Sequence, residues 1–174
     1  MIARLFEALI FFLPAGIANM TPIFANKVPV LNRWETPVDF HKSFRGKRIF
    51  GDHKTWRGIV TGTVCGTLLG WPLLALLGPS DDIYFILLAP LAMSFGALAG
   101  DAIKSFFKRQ VGVASGKSWF PFDQTDYIIG GLLLVLPFHA VSLSLAGIIF
   151  VEYFALHLIS TYIGFKLGLK DSAI

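Results

Sequence analysis

Five long apolar runs occupy most of this 174-residue chain, and they restrict the folds open to it more than any other feature. A helix that crosses a bilayer needs about 20 mostly apolar residues. The runs lie at 2–21, 58–77, 83–100, 127–144 and 145–165, and hydrophobic residues make up 55% of the sequence. This composition is too apolar for a soluble domain of the same length. We therefore predict an all-α, polytopic membrane protein with five transmembrane helices, forming one integral membrane domain over residues 1–174.

The uneven distribution of positive charge predicts how the chain is oriented. Fourteen of its fifteen Lys and Arg residues lie between runs one and two, at or just after the end of run three, or in the tail that contains Lys166 and Lys170. The turn after run two instead contains Asp81 and Asp82. By the positive-inside rule, the face with the cations is cytoplasmic. The prediction is a multi-pass protein of the cell membrane with its N-terminus outside, its C-terminus cytoplasmic, and cytoplasmic loops at 25–57 (long, between helices 1 and 2) and 108–125.

The segment at 100–126, GDAIKSFFKRQVGVASGKSWFPFDQTD, combines acids and bases at the edge of the apolar runs. Asp123 and Asp126 stand three apart, which places them on one face of a helix. Capping of the fourth helix would explain one of them, but not Asp101 inside an apolar run. Converging carboxylates imply a hard cation with oxygen ligands, so we expect Mg²⁺ or Mn²⁺. The polar side chains of the first half are spaced as one helical stripe: Asp101, Lys104, Ser105 and Lys108.

The long loop ends in GKRIFGDHKTWRG at 46–58, where glycines alternate with cations. Glycine lets the backbone approach a polyanion closely, and the cations neutralise it. A polybasic strip held by anionic lipid headgroups is the alternative, but it would leave Gly51, Asp52 and Thr55 unexplained. We therefore predict that this loop binds substrate, through Arg45, Lys47, Arg48, Asp52, Lys54, Thr55 and Arg57.

Several other classes fit less well. The net charge of +4 does not indicate nucleic-acid binding, because the cations lie against the membrane and no nucleic-acid module is present. Cys65 is the only cysteine, so it makes no internal disulfide. A small transporter remains an alternative, although here the polar groups gather at one face. Glu152, inside the fifth run, is either a structural hydrogen-bonding group or a functional acid, and its role stays open.

A motif in the 100–126 segment resembles that of a known family. Its pattern is S-x-x-K-R, then K, then P-x-D-x-x-D, formed by Ser105, Lys108, Arg109, Lys117, Pro121, Asp123 and Asp126. The pattern is similar to that of the CDP-diacylglycerol synthases, membrane CTP:phosphatidate cytidylyltransferases, with Gln124 where arginine is usual. The GKRIFGDHKTWRG segment and the five-run size resemble more closely a related family, the archaeal CDP-archaeol synthases, over essentially the whole chain.

The resemblance implies an enzyme of membrane phospholipid biosynthesis. It would transfer CMP from CTP to an unsaturated archaetidic acid, 2,3-di-O-geranylgeranylglyceryl phosphate, with Mg²⁺, giving CDP-archaeol and pyrophosphate. The implied partners are CTP, an isoprenoid glycerol ether phosphate lipid and the bilayer, with a homodimer left open. Ester phosphatidate is the alternative acceptor. A phosphotransferase that consumes a CDP-lipid is a further alternative, but its DG-x-x-AR motif is missing.

The resemblance and the residue pattern together assign roles to the polar residues. The expected catalytic residues are Lys104, Lys108, Arg109 and Lys117, which would stabilise the phosphoryl groups, and the metal-binding Asp123. The expected metal ligands are Asp101, Asp123 and Asp126. Ser105, Asn26 and Gln124 join the loop residues as substrate-binding groups, the last two as contacts to cytosine or ribose.

Overall fold

The fold is taken from a computed structural model that describes residues 1–77 and 82–168. Asp81 and Lys170, which entered the orientation argument, lie outside these residues. In the described ranges, four helices are long and apolar enough to cross a membrane, which confirms the predicted helical membrane protein. The order of elements is α1 (Ile2–Ala25), β1 (Ser43–Phe44), β2 (Lys47–Arg48), α2 (Trp56–Ala75), α3 (Ile83–Gln110), α4 (Phe122–Val135) and α5 (Leu143–Lys166).

The predicted bounds of the fourth helix were wrong at both ends. It begins at Phe122 and ends at Val135, where the apolar run predicted 127–144. Asp123 in the first turn favours this early start because carboxylates stabilise helix N-termini. Pro137 lies just beyond the end, and proline cannot continue the helical hydrogen bonds. At 14 residues, α4 is roughly 21 Å long, shorter than the hydrocarbon core of about 30 Å. Five complete spans and the orientation therefore stay predictions.

The third helix is longer than its apolar run. The prediction ended it at 100, but α3 continues to Gln110, so the polar stripe that begins at Asp101 is helical and the following loop is shortened to 111–121. Lys side chains at such a helix end can bury their alkyl stems while the ammonium groups reach a polar region. The consequence is that the charged residues of the site stand on a rigid element.

Helix α2 packs against α1 and α3 through a stripe of small residues. A side chain at Gly62 would lie 2.7 Å from the Ala18 carbonyl oxygen, and one at Gly66 would lie 2.6 Å from that of Pro14. Close approach of backbones through glycine is the usual way in which membrane helices gain packing contacts. These close contacts fix the positions of α1, α2 and α3 relative to one another.

Helices α3 and α4 cross even more closely. A Cβ atom at Gly100 would overlap the Asp126 carbonyl oxygen, and one at Gly130 would overlap that of Gly96. Because these two backbones are in contact, the side chains next to the crossing lie close together even where they carry like charges. The crossing therefore sets the distance between Asp101 and the acids of α4.

The long loop is ordered and includes a short hairpin, which corrects the expectation of a purely helical chain. Strands β1 and β2 are antiparallel, with Ser43 paired to Arg48. Arg45 and Gly46 connect them with φ values of 51° and 76°. Positive φ at both central residues is the geometry of a two-residue hairpin turn. An isolated bridge between Pro37 and Thr55 then returns the loop to the start of α2.

Candidate active site

Three carboxylates and three lysines meet where α3 and α4 cross. Lys104 Nζ lies 3.2 Å from Asp101 Oδ1 and 2.9 Å from Asp126 Oδ2, and it forms a shorter ion pair with Asp123. Asp101 is also paired with Lys54 of the long loop. Lys108 Nζ lies 2.8 Å from Asp123 Oδ2. We call this group the acid–lysine cluster: Asp101, Asp123, Asp126, Lys54, Lys104 and Lys108.

The cluster lies largely out of contact with solvent. Asp126 is 8% exposed and Lys108 is 7% exposed. Charges at such burial are stable only when they are paired, so each acid depends on its lysine and each lysine on its acid. The sequence prediction that the acids of α3 and α4 lie together is confirmed by these contacts.

The metal assignment is not settled by this arrangement. In residues 1–77 and 82–168, no three acid, His or Cys side chains are placed to hold an ion. The Lys104 ammonium group instead occupies the point toward which the carboxylates converge. Asp126 Oδ2 is buried and, despite the ion pair, has no hydrogen-bond partner among the described residues. The three predicted ligands therefore lie around one lysine and are not arranged around an ion position, and the metal stays a prediction.

Beside the cluster lies a polar cavity of about 360 Å³, which we call the cation cavity. Gln124, 2% exposed, lines it, and its Oε1 atom accepts no hydrogen bond from any described residue. Cations in a concave, poorly hydrated site attract anions more strongly than cations on an open surface. Its basic and hydroxyl lining is Lys54, Lys104, Lys108, Arg109, Lys117, Ser105, Ser115, Ser118 and Thr161.

A second, larger cavity of about 800 Å³ lies under the long loop, and we call it the loop cavity. Arg57 is held at its wall by the Asn32 carbonyl oxygen at 3.0 Å and by Asn26 Oδ1 at 2.8 Å. Thr55 caps α2 there by accepting a hydrogen bond from Gly58 N. Its polar lining is Asn19, Asn26, Lys27, Glu35, His41, Asp52, His53, Lys54, Thr55, Arg57, Asp101, Asp123 and His157. Lys54, Asp123, His53 and His157 line both cavities, which therefore adjoin at the cluster.

Three of the predicted substrate-binding cations line neither of these cavities, because other groups hold them. Arg48 bonds Asp39 at 2.7 Å and Asp52 at 2.6 Å. Lys47 Nζ donates to the Gln110 carbonyl oxygen at 2.6 Å and so caps α3. The Arg45 guanidinium lies 5.3 Å from the Phe44 ring centroid. These cations stabilise the loop, and none of the three lines a cavity in which substrate is expected to bind.

The loop is fastened by Asp39, which the sequence prediction missed. Asp39 is 4% exposed and accepts hydrogen bonds from Arg48 at 2.7 Å and from the backbone N–H groups of Phe50, Gly51 and His41 at 2.9, 3.1 and 3.1 Å. Burial by itself would raise the pKa of this carboxyl group, but the Arg48 and backbone hydrogen bonds lower it to about 2. The sequence does contain a signal for this role, because Asp39 is the one acid in the otherwise apolar stretch PVDF at 37–40.

Helix α5 contributes residues that the sequence prediction also left out. His157 lines both cavities, and Thr161 lines the cation cavity. They are four residues apart and share one helical face, a spacing that could have indicated them. Glu152 lines neither cavity.

Helices of membrane-spanning length, with a cation-lined cavity beside buried carboxylates at their end, define a membrane-embedded enzyme that acts on phosphorylated substrates. The family model described as CarS-like, CDP-archaeol synthase, matches residues 1–174. The chain belongs to the CDP-archaeol synthase family.

Individual relatives agree with this assignment. The CDP-archaeol synthase of Methanosphaerula palustris is 38% identical over 78% of this chain and 88% of its own length. That of Methanoculleus marisnigri is 37% identical over 87% of this chain and 98% of its own length. A solved structure of an intramembrane enzyme for archaeal membrane lipid biosynthesis is 31% identical, with a TM-score of 0.74, and covers 88% of this chain and 92% of that chain.

Proposed function

We propose that this protein transfers CMP from CTP to an unsaturated archaetidic acid, giving CDP-archaeol and pyrophosphate. The observation that supports the proposal best is the cation cavity, which adjoins the acid–lysine cluster at the ends of membrane helices. This arrangement suits a reaction in which a triphosphate meets a lipid phosphate at the membrane surface. The family relationship supports the same activity.

The reaction needs charge stabilisation more than acid–base chemistry. An oxygen of the lipid phosphate attacks the α-phosphorus of CTP, and the bond from that phosphorus to the bridging oxygen of the β-phosphate breaks. The attacking oxygen is already ionised, so no strong general base is required. Negative charge grows on the departing pyrophosphate, where prearranged cations in a water-poor site are most effective. Lys104, Lys108, Arg109 and Lys117, which line the cation cavity, would supply them.

Asp101, Asp123 and Asp126 are the residues that would hold Mg²⁺, with Mn²⁺ as the alternative. Their chemistry fits, because carboxylate oxygens are preferred ligands of hard cations and all three acids already converge on one positive group, Lys104 Nζ. When bound, the ion would polarise phosphoryl oxygens and neutralise part of their charge. Lys104, which now pairs with all three acids, would then be available to the phosphates.

The two cavities suggest that the phosphates and the nucleoside of CTP bind in different places. We assign the triphosphate to the cation cavity and the nucleoside to the loop cavity, where Thr55 and Arg57 are held in place. Asn26, which lines the loop cavity, would contact the cytosine or ribose there, whereas Gln124 lines the cation cavity and would offer its free acceptor to a group bound there. The positive-inside rule supports a cytoplasmic location for this end of the helices.

The activity is tested with purified protein, CTP, Mg²⁺ and lipid phosphates with ether-linked isoprenoid or ester-linked acyl chains. We expect pyrophosphate and a CDP-lipid to form fastest with the isoprenoid ether. Asp123→Asn removes a charge that holds Lys104 and Lys108, and the rate should fall about a hundredfold or more. Pyrophosphate release is the measurement, and removal of Mg²⁺ should abolish it.

The matched control is Asp82→Asn. Asp82 caps the other end of α3, and asparagine caps a helix as well as aspartate does. This variant should keep wild-type activity. Absence of product with every lipid phosphate would overturn the proposed activity, and a fully active Asp123→Asn variant would remove the cluster from the mechanism. Activity that persists without divalent cations would contradict the metal assignment.

A further inference from the structure

The β1–β2 hairpin lies beside the end of α3, and its turn is exposed. We call this surface the hairpin tip, and its residues are Lys42, Phe44, Arg45 and Gly46. We propose that the hairpin tip binds anionic lipid headgroups of the bilayer in which the protein sits. The inference goes beyond the proposed function, and its test requires no catalysis.

The hairpin tip lies at the level of the lipid headgroups. Helix α3 has 28 residues and is roughly 42 Å long, whereas the hydrocarbon core of a bilayer is about 30 Å thick. The last turns of α3 therefore extend beyond the core. In these turns Phe106 packs against the Phe44 ring, with ring centroids 5.9 Å apart, and against Phe107, which is about half exposed. The hairpin tip consequently adjoins the bilayer-facing side of α3 just outside the hydrocarbon.

The two cations of the hairpin tip are available to an outside anion. Lys42 and Arg45 are exposed, and neither forms an ion pair with an acid in the described part of the chain. The Arg45 guanidinium lies 5.3 Å from the centroid of the Phe44 ring. Strand pairing continues to Lys42, whose carbonyl oxygen accepts from Ile49 N at 3.2 Å, so Lys42 and Phe44 share one face of the hairpin. Both cations thus lie beside the same aromatic ring.

An anionic lipid surface fits this combination of groups. Aromatic rings and basic side chains are typical of the membrane–water interface, where the ring contacts lipid and the cation contacts phosphate. Each cation near an anionic bilayer strengthens the contact about fivefold. The turn leaves room for a headgroup, because a Cβ atom on Gly46 would have no neighbour within 4 Å. A bound nucleotide fits less well, since Lys42 and Arg45 line neither the cation cavity nor the loop cavity.

The base of the hairpin connects the tip to the rest of the loop. Lys47 bonds the last residue of α3, and Arg48 bonds Asp39, which also accepts from the backbone of the loop. Headgroups bound at the tip would therefore hold the loop, including Lys54 and Thr55, at a fixed height above the bilayer. Anionic lipid is in this way expected to influence a surface that lines the candidate active site.

The test uses the full chain in vesicles without nucleotide. A fluorophore on Ser43→Cys, in a Cys65→Ala background, reports how close the hairpin is to a zwitterionic lipid with a nitroxide on its headgroup. We expect more quenching in vesicles that contain phosphatidylglycerol than in vesicles of phosphatidylcholine alone. Titration of the phosphatidylglycerol content gives an apparent affinity, which should fall about tenfold or more in Lys42→Gln/Arg45→Gln. Added salt should remove the extra quenching of the unsubstituted hairpin tip, because salt screens exposed charges.

The matched control is Arg33→Gln/Lys166→Gln, which removes the same net charge from exposed residues outside the hairpin. It should keep the apparent affinity of the protein with an unsubstituted hairpin tip. Equal quenching in the two kinds of vesicle would overturn the inference and would mean that the hairpin tip faces water or another protein. Extra quenching that persists at high salt would also overturn it, and this measurement needs no substitution in the hairpin tip. An unchanged affinity in a folded Lys42→Gln/Arg45→Gln protein would do the same.

Discussion

Asp39 shows how a residue that lines neither polar cavity can still determine the site. Its carboxylate accepts hydrogen bonds from Arg48 and from three backbone N–H groups, and so fixes the loop that ends at Lys54 and Thr55. Lys54 in turn pairs with Asp101 of α3. The path from Asp39 to the cluster is short, and the backbone along it is also held by the hydrogen bond from Val38 N to the Lys54 carbonyl oxygen at 2.8 Å.

We predict that Asp39→Asn destabilises the loop and removes the part of its acid-range pH dependence that comes from Asp39. Because the native pKa of Asp39 is lowered from 3.8 to about 2, its carboxylate stabilises the fold above about pH 4, and this stabilisation is lost as the pH falls toward 2. The shift corresponds to about 2 kcal/mol. Protease cleavage of the loop, followed against pH, measures both effects.

Asp52→Asn is the matched control for this experiment. Asp52 pairs with the same Arg48 but is exposed, and exposed ion pairs contribute between about 0 and 1 kcal/mol. Its loop should be cleaved at nearly the wild-type rate. Equal cleavage of the Asp39→Asn and Asp52→Asn loops would contradict the organising role of Asp39.

At the residue scale, the sequence predicted which charged residues lie in the same region better than it predicted which atoms they bond to. Helical spacing placed Asp123 and Asp126 on one face, because short side chains on a rigid helix point where the backbone directs them. Their contact with Asp101 depends on the close crossing of α3 and α4. Arg48 and Lys47 could not be assigned in this way. Their long side chains bond Asp39, Asp52 and the end of α3, and these partners depend on the path of an irregular loop.

Among the helices, the α3–α4 crossing is the contact on which the site depends most. We predict that Gly100→Ala lowers stability by about 1–3 kcal/mol, because the added methyl group overlaps the Asp126 carbonyl oxygen and separates the helices. A displacement of about 1 Å at the cluster can lower the rate about a hundredfold. Thermal unfolding in detergent and the CMP-transfer rate measure the two effects.

Gly147→Ala is the control at this scale. Gly147 is in α5, and an added Cβ would have no neighbour within 4 Å in the described structure. Alanine favours helix over glycine by about 1 kcal/mol, so this variant should be at least as stable as the wild type and fully active. A Gly100→Ala protein that behaves in the same way would show that the close crossing is unimportant.

The elements were predictable to the extent that hydropathy marks them. Helices α2 and α5 were placed within two residues at each end, because their apolar runs end where the helices end. The extension of α3 beyond its apolar run was indicated by the helical spacing of its polar residues and not by hydropathy, which ends the run at 100. The hairpin of β1 and β2 is too short to produce an alternating pattern.

For the molecule as a whole, the open question is the topology. We predict that Lys42→Cys and Ala140→Cys, each in a Cys65→Ala background, lie on opposite sides of the membrane. Helices α2, α3 and α4 separate the two positions. In sealed right-side-out vesicles, an impermeant thiol reagent should label Ala140→Cys, whereas Lys42→Cys should react only after permeabilisation.

The labelling pattern distinguishes two ways in which the predicted topology could be wrong. Labelling of both positions from one side would show that the short α4 does not cross the membrane. Labelling with the two sides exchanged would reverse the orientation. The sequence predicts orientation only through the positions of Lys and Arg, whereas crossing depends on how far a 14-residue helix and its flanks reach.

The acid–lysine cluster pairs three acids with three lysines, so their opposite charges largely offset one another. This pairing lets the ligand-free protein keep the group near hydrocarbon. A nucleotide triphosphate that arrived alone would leave the site with surplus anions, so the substrate should bind most tightly together with its own counter-ions. The resting enzyme would in this way discriminate against uncomplexed nucleotide before any chemistry begins.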